Sequence, residues 1–210
     1  SIDGPCAGSL KSGRLWGLRV DTVSLEAAMG RGMNPRGPPR KMGRSATMTR
    51  PATTRLVMKF GGTSMGDLER IRRAARIVAA EAAAGKQVAV VVSAMAGKTN
   101  ELVAWTDGAG RPAQGIELSD DEYDVVVASG EQVTSGLLAL TLRNMGLNAR
   151  SWMGWQIPIL TDDAHGRARI EDVPGEVLGA AMDKGEIAVV PGFQGVTRGG
   201  RITTLGRGGS

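Results

Sequence analysis

The chain has one cysteine, Cys6, and one histidine, His165, among 210 residues. A single cysteine excludes an intrachain disulfide and a cysteine-built zinc site. A single histidine excludes a multi-histidine metal centre and leaves any Ser–His or Cys–His mechanism dependent on that one residue. No run of ~18 residues lacks a charge or several polar groups, so the composition predicts no transmembrane helix. Negative charge is also in deficit, with a net charge of +5. That balance alone suggests a nucleic-acid or membrane binder. The excess is local, however. Residues 1–54 hold nine bases and three acids, whereas the remaining 17 bases and 18 acids nearly cancel. A nucleic-acid or membrane role for the body of the chain therefore has no electrostatic support.

Residues 1–54 also hold five of the nine prolines, with the run Gly-Arg-Gly-Met-Asn-Pro-Arg-Gly-Pro-Pro-Arg-Lys-Met-Gly over 30–43. Such a composition buries too little apolar surface to offset its ordering entropy. It predicts a disordered or non-native extension over 1–54, with residues 1–47 lying ahead of Met48 as a natural start. A short amphipathic piece over 15–29 is conceivable.

From Arg55 onward the pattern is that of an α/β domain. Arg55–Phe60 is a short apolar run before Gly61-Gly62. Leu68, Ile71, Ala75, Val78 and Ala82 recur at helical spacing, with Asp67 as a cap and Gly85-Lys86 at the end. Gln87–Ser93 reads as a strand covered on both faces. The order strand, helix, strand fits a right-handed parallel crossover. Helices follow over 98–105, 119–129 and 131–145, the second opened by a Ser119-x-x-Glu122 capping box and broken at Ser129-Gly130. Residues 106–118 read as a loop. Strands over 148–152 and 186–193, a helix over 174–184 and short extended pieces over 157–170 complete the pattern. The alternation predicts a mainly parallel sheet between helices.

Ligands of such sheets bind outside the carboxyl ends of the strands. Three strands end there in Lys59-Phe60-Gly61-Gly62-Thr63-Ser64, in Ser93–Asn100 and in Pro191-Gly192-Phe193. Glycines let backbone N–H groups approach an anion, and a neighbouring lysine can compensate charge on a transferring phosphoryl group. Gly97-Lys98-Thr99 is not a P-loop, because Val92 stands where the motif needs glycine. No G-x-G-x-x-G follows a strand. Taken singly, Glu131 reads as a helix-start carboxylate, His165 as a loop residue and Asp162-Asp163 as a solvated turn. Trp105, Trp152 and Trp155 read as packing residues.

The strings KFGGTS (59–64), VVSAMAGKTN (91–100), SGEQVTS (129–135) and TTLGRGGS (203–210) together resemble the aspartokinase family in sequence and order. The resemblance covers about 55–210. It implies the amino-acid kinase fold, a three-layer αβα sandwich, here truncated at its C-terminal side. Residues 55–210 would then be the N-terminal, amino-acid-binding part of the kinase domain. The implied reaction moves the γ-phosphoryl group of ATP, carried with Mg²⁺, to the side-chain carboxylate of L-aspartate, the first step towards lysine, threonine and methionine. The resemblance assigns Lys59, Phe60, Gly61, Gly62 and Ser64 to the phosphates, with Lys59 catalytic. It assigns Ser93, Thr99, Glu131, Arg207 and Ser210 to the aspartate, with no resident metal and no tightly bound cofactor. It also implies a cytoplasmic enzyme that is a homo-oligomer or has a partner chain when complete. Family members continue past the Ser210 motif, so the chain is expected to be a fragment with little activity alone. The alternatives are another acceptor on the same fold, or a non-catalytic subunit pairing with a complete kinase.

Overall fold

The computed structural model describes residues 11–15, 18–24, 54–110 and 120–206. A six-stranded sheet runs through the molecule. Its strands are β1 (Lys11–Leu15), β2 (Leu18–Ser24), β3 (Arg55–Phe60), β4 (Gln87–Val92), β5 (Ala149–Ser151) and β8 (Ile187–Pro191), in the spatial order β1-β2-β3-β4-β8-β5. All neighbours pair in parallel except β1 with β2. β1 and β2 lie within the segment expected to be unstructured. Leu18-Arg19-Val20-Asp21 alternates apolar and polar, and β-branched Thr22 and Val23 follow, a local strand pattern that the bulk Gly/Pro/Arg composition hides.

The two faces of the sheet bury different partners. Val88, Val90 and Val92 join Leu56, Met58 and Phe60 beneath α1 (Leu68–Ala83) and α3 (Asp121–Asn144). Val57, Ala89, Ala188 and Val190 face Leu178 and Met182 of α4 (Glu176–Asp183), together with Trp152, Ile157 and Ile159. The β-branched run of β4 is therefore covered on both sides, as a central parallel strand requires. Asp67 caps α1, its side chain accepting from the Arg70 N–H at 2.8 Å. Asp67→Ala should cost about 1 kcal/mol of stability, measurable by urea denaturation. Gly85 and Gly185, at φ +83 and +79, turn the ends of α1 and α4 directly into β4 and β8.

Two expectations about helices fail. α2 runs Lys98–Gly110, so residues 106–110 are helix where a loop was expected; the rest of that expected loop and Ser119 of the expected capping box lie outside the described residues. α3 is continuous through Ser129-Gly130. Gly130 is there for packing: a Cβ would stand 3.0 Å from Leu102 Cδ1 of α2 and 3.1 Å from Ala94 Cβ. α3 is long and apolar enough to cross a membrane by length and composition, which the sequence reading did not expect. Here it is a core helix that buries Val127, Leu138 and Leu142.

A second, four-stranded sheet stands beside the first. It comprises β6 (Leu160–Thr161), β7 (Ile170–Asp172), β9 (Gln194–Val196) and β10 (Ile202–Thr204), ordered β10-β9-β6-β7. β9 and β10 form an antiparallel hairpin whose Thr204 pairs with Gln194. Its buried Thr203 hydroxyl bonds that of Thr161 at 2.7 Å. Two of the three tryptophans expected to pack are substantially exposed, Trp105 and Trp155. Trp152 is buried, its indole N–H donating to Glu186 at 2.8 Å.

Candidate active site

Parallel register brings three chain turns to one end of the large sheet. Phe60 lies beside Val92, and Val92 beside Pro191. Each strand then leaves the sheet tied to its neighbour: Ser93 N–H donates to Phe60 O at 3.1 Å, and Gly192 N–H to Val92 O at 3.0 Å. After β3 the chain makes a short 3-10 turn, Gly62–Met65. A Cβ on Gly62 would meet the Ala94 carbonyl oxygen at 3.1 Å, so glycine lets the first turn press against the second. Between the turns opens a cleft of about 330 Å³, bordered by Gly62, Ser93, Thr99, Asn100, Glu131 and Phe193.

Glu131 is the charged group of this cleft. It lies in the middle of α3, not at a helix start, and is 5% exposed. Its Oε2 accepts the Phe193 backbone N–H at 2.6 Å. Burial pushes its carboxyl up from the ordinary 4.5 to about 7, against the opposing pull of the Phe193, Gly192 and Ala94 backbone N–H groups and of the Lys59 charge. The protein thus holds a carboxylate where water solvates it poorly, and burial outweighs the Lys59 charge and the backbone N–H groups that favour its ionised form. A ligand cation entering the cleft would stabilise the charged form further.

Of the expected substrate residues, Ser93, Thr99 and Glu131 border one cleft, and Gly62 of the expected phosphate residues joins them. Lys59, Phe60, Gly61 and Ser64 do not border it. They stand at the adjoining end of β3 and in the turn after it, with Lys59 exposed and Phe60 in the core. Arg207 and Ser210 lie outside the described residues. Among the described residues, no cluster of three or more histidine, cysteine or acidic side chains could hold a metal ion.

Sequence reasoning missed two features. The Phe193 N–H that orients Glu131 is a backbone donor, and its residue type carries no signal. The other is a buried carboxylate seven residues before Glu131. Asp124, fully buried, accepts from His165 Nδ1 at 2.7 Å, from the Gly166 N–H at 3.0 and 3.1 Å, and from the Thr204 hydroxyl. His165 does sit in a loop, as expected, but its ring is only 12% exposed and is paired.

Comparison with known proteins places these elements in context. Residues 54–210 match the model of the amino acid kinase family. An aspartokinase of Rickettsia bellii is 45% identical over 155 residues, covering 74% of this chain and 38% of the relative. Aspartokinase 2 of Bacillus subtilis is 48% identical, with 74% of this chain and 37% of the relative covered. The chain thus spans under two fifths of the length of these relatives. Among solved structures, E. coli aspartokinase III in complex with aspartate and ADP superposes with a TM-score of 0.60 at 26% identity, over 73% of this chain and 44% of that one. Aspartate kinase from Synechocystis gives a TM-score of 0.57 at 34% identity, over 73% of this chain and 24% of that one.

Proposed function

The chain belongs to the amino acid kinase family, and on that premise we propose that residues 55–210 are the amino-acid-binding part of an aspartokinase. The complete enzyme would transfer the γ-phosphoryl group of ATP to the side-chain carboxylate of L-aspartate, giving 4-phospho-L-aspartate and ADP. The observation that carries this reading is Glu131, a buried carboxylate bordering the cleft at the carboxyl end of the sheet, oriented by a backbone N–H and held mostly away from water. It suits the ammonium of a free amino acid. An N-acetylated acceptor offers no such charge.

The reaction fits the residues at hand. The side-chain carboxylate of L-aspartate, with a pKa of ~3.9, is already ionised at neutral pH, so no general base is needed. The chemistry needs two anions held in line and charge compensation in the transition state. In this reading Glu131 holds the ammonium, while Ser93 and Thr99 add hydrogen bonds. Arg207, with Ser210 beside it in sequence, would grip a carboxylate as a two-pronged fork. Lys59 would neutralise phosphoryl charge, framed by Phe60, Gly61, Gly62 and Ser64. Mg²⁺ would arrive on the nucleotide phosphates. The complete protein would act in the cytoplasm, in the biosynthesis of the aspartate-derived amino acids, as a homo-oligomer or with a partner chain.

Calorimetric titration of the chain with L-aspartate tests the reading, with L-glutamate, N-acetyl-L-glutamate, carbamate and UMP alongside. L-Aspartate should bind best. Equal or tighter binding of N-acetyl-L-glutamate, or no heat from L-aspartate with a folded chain, would remove it. In the complete enzyme, Lys59→Ala should lower kcat at least tenfold with a smaller change in KM. Steady-state kinetics with equal kcat for parent and variant would refute that role.

A further inference from the structure

Asp124 and His165 take no part in the reading above, yet they form a buried, hydrogen-bonded polar cluster. Asp124 receives three donors from two separate segments, the loop at 165–166 and the end of β10. Because a carboxylate only accepts when ionised, His165 must present Nδ1–H and Thr204 must donate its hydroxyl hydrogen.

The bonds continue beyond Thr204. The next residue, Leu205, donates its N–H to Phe193 O at 2.9 Å. Phe193 in turn donates its own N–H to Glu131 Oε2 at 2.6 Å. Asp124 and Glu131 are both on α3, seven residues apart, so two helical turns place them on one face. That face holds both strands of the β9–β10 hairpin at its open end: Glu131 grips the residue before β9, and Asp124 grips the last residue of β10. Register sharpens the point, because Gln194 pairs with Thr204. A shift of Thr204 is therefore passed to Phe193 through both the hairpin and the Leu205 bond.

We propose that Asp124 and His165 are positioning residues for the ligand cleft. They fix Thr204 and Leu205, and so hold the Phe193 N–H where it orients the Glu131 carboxylate. His165 acts only through its Nδ1–H donated to Asp124. The substrate that feels this positioning is L-aspartate if the preceding reading holds; the hydrogen-bond track itself does not depend on that reading.

Two readouts on the purified chain test the proposal with His165→Ala, Thr204→Val and His165→Asn. The last keeps a side-chain N–H near the position of Nδ1. Amide hydrogen exchange, followed residue by residue, should accelerate by about tenfold or more at Leu205 and Phe193 in His165→Ala and in Thr204→Val. Ile71 of α1 and Val90 of β4, both in the core, should be unchanged and so certify folding. L-Aspartate affinity should fall about tenfold in both variants, and His165→Asn should restore exchange and affinity to within about threefold of the parent. Unchanged exchange at Leu205 and Phe193 overturns the proposal. So does faster exchange without loss of affinity, which would mean a purely structural cluster, and so does failure of His165→Asn to recover what His165→Ala loses. If the parent itself binds no L-aspartate, the substrate assignment falls, and the exchange comparison still decides the positioning role.

Discussion

On the proposed reading, Glu131→Gln should weaken L-aspartate binding by on the order of 100-fold at pH 8, because it would remove one partner of a buried charged pair worth about 2–4 kcal/mol. The shape of the cleft is retained, since glutamine can still accept the Phe193 N–H. The pH dependence is as diagnostic as the magnitude. In the free protein the Glu131 carboxyl titrates at about 7 because burial penalises its charged form. An ammonium ligand binds the ionised form, so the parent should bind about tenfold more tightly at pH 8 than at pH 6. The variant should show no such step. Calorimetry at three pH values decides it, and a flat parent profile would mean that Glu131 does not meet a cation.

The same group sets a stability profile of opposite slope. Its folded pKa of about 7 lies above the ordinary 4.5. The stability it contributes is therefore complete below about 4.5 and lost as pH rises through about 7. Over that window the unliganded parent should lose about 3 kcal/mol, and Glu131→Gln should lose none of it. Ligand binding and stability thus pull Glu131 in opposite directions, as expected for a site that is satisfied only when occupied.

Gly195→Ala should cost about 3 kcal/mol, at the upper end for a single added methyl group. A Cβ at 195 would lie 2.4 Å from Thr161 Cγ2, 2.8 Å from Ile159 O and 3.1 Å from Thr203 Oγ1. The Thr161 methyl belongs to a buried side chain already bonded to Thr203, and the Ile159 oxygen is backbone that accepts the Val196 N–H at 2.8 Å. Neither can yield without moving β6 away from β9. Urea denaturation measures the loss directly. Gly206→Ala, with open space around the added carbon, should stay within about 0.5 kcal/mol of the parent. Equal midpoints for the two variants would show that the hairpin is not packed as described.

The elements read correctly from sequence share one property: their periodicity is unbroken and their ends are marked. β3, α1, β4, α4 and β8 all qualify, with Asp67, Gly85 and Gly185 as punctuation. Gly130 misled because a glycine chosen for close packing against Leu102 and Ala94 looks like a helix break. β6, β7, β9 and β10 were missed as a sheet because each is two or three residues long, too short to establish an alternation. At the candidate site, Glu131 and Thr99 were legible as residue types in glycine-containing strings. The Asp124–His165 pair was not, since its members are 41 positions apart and neither stands in a local pattern. The resemblance named the residues that could touch a ligand; it said nothing about those that hold them in place.

The strand order also dictates a sequence of events during synthesis. β8 lies between β4 and β5, so β4, already flanked by β3 on one side, cannot meet its second neighbour until the chain has grown about 95 residues beyond Val92. At ~5–20 residues per second that interval is roughly 5–20 s. Throughout it the run Val88-Ala89-Val90-Val91-Val92 presents an unpaired edge with no charge and no proline, the profile of a segment prone to cross-strand aggregation. The nascent protein therefore depends on α1 and on early pairing with β3 to shield one face and one edge of β4. The hazard lies in the wait for β8 and leaves no trace in the finished fold.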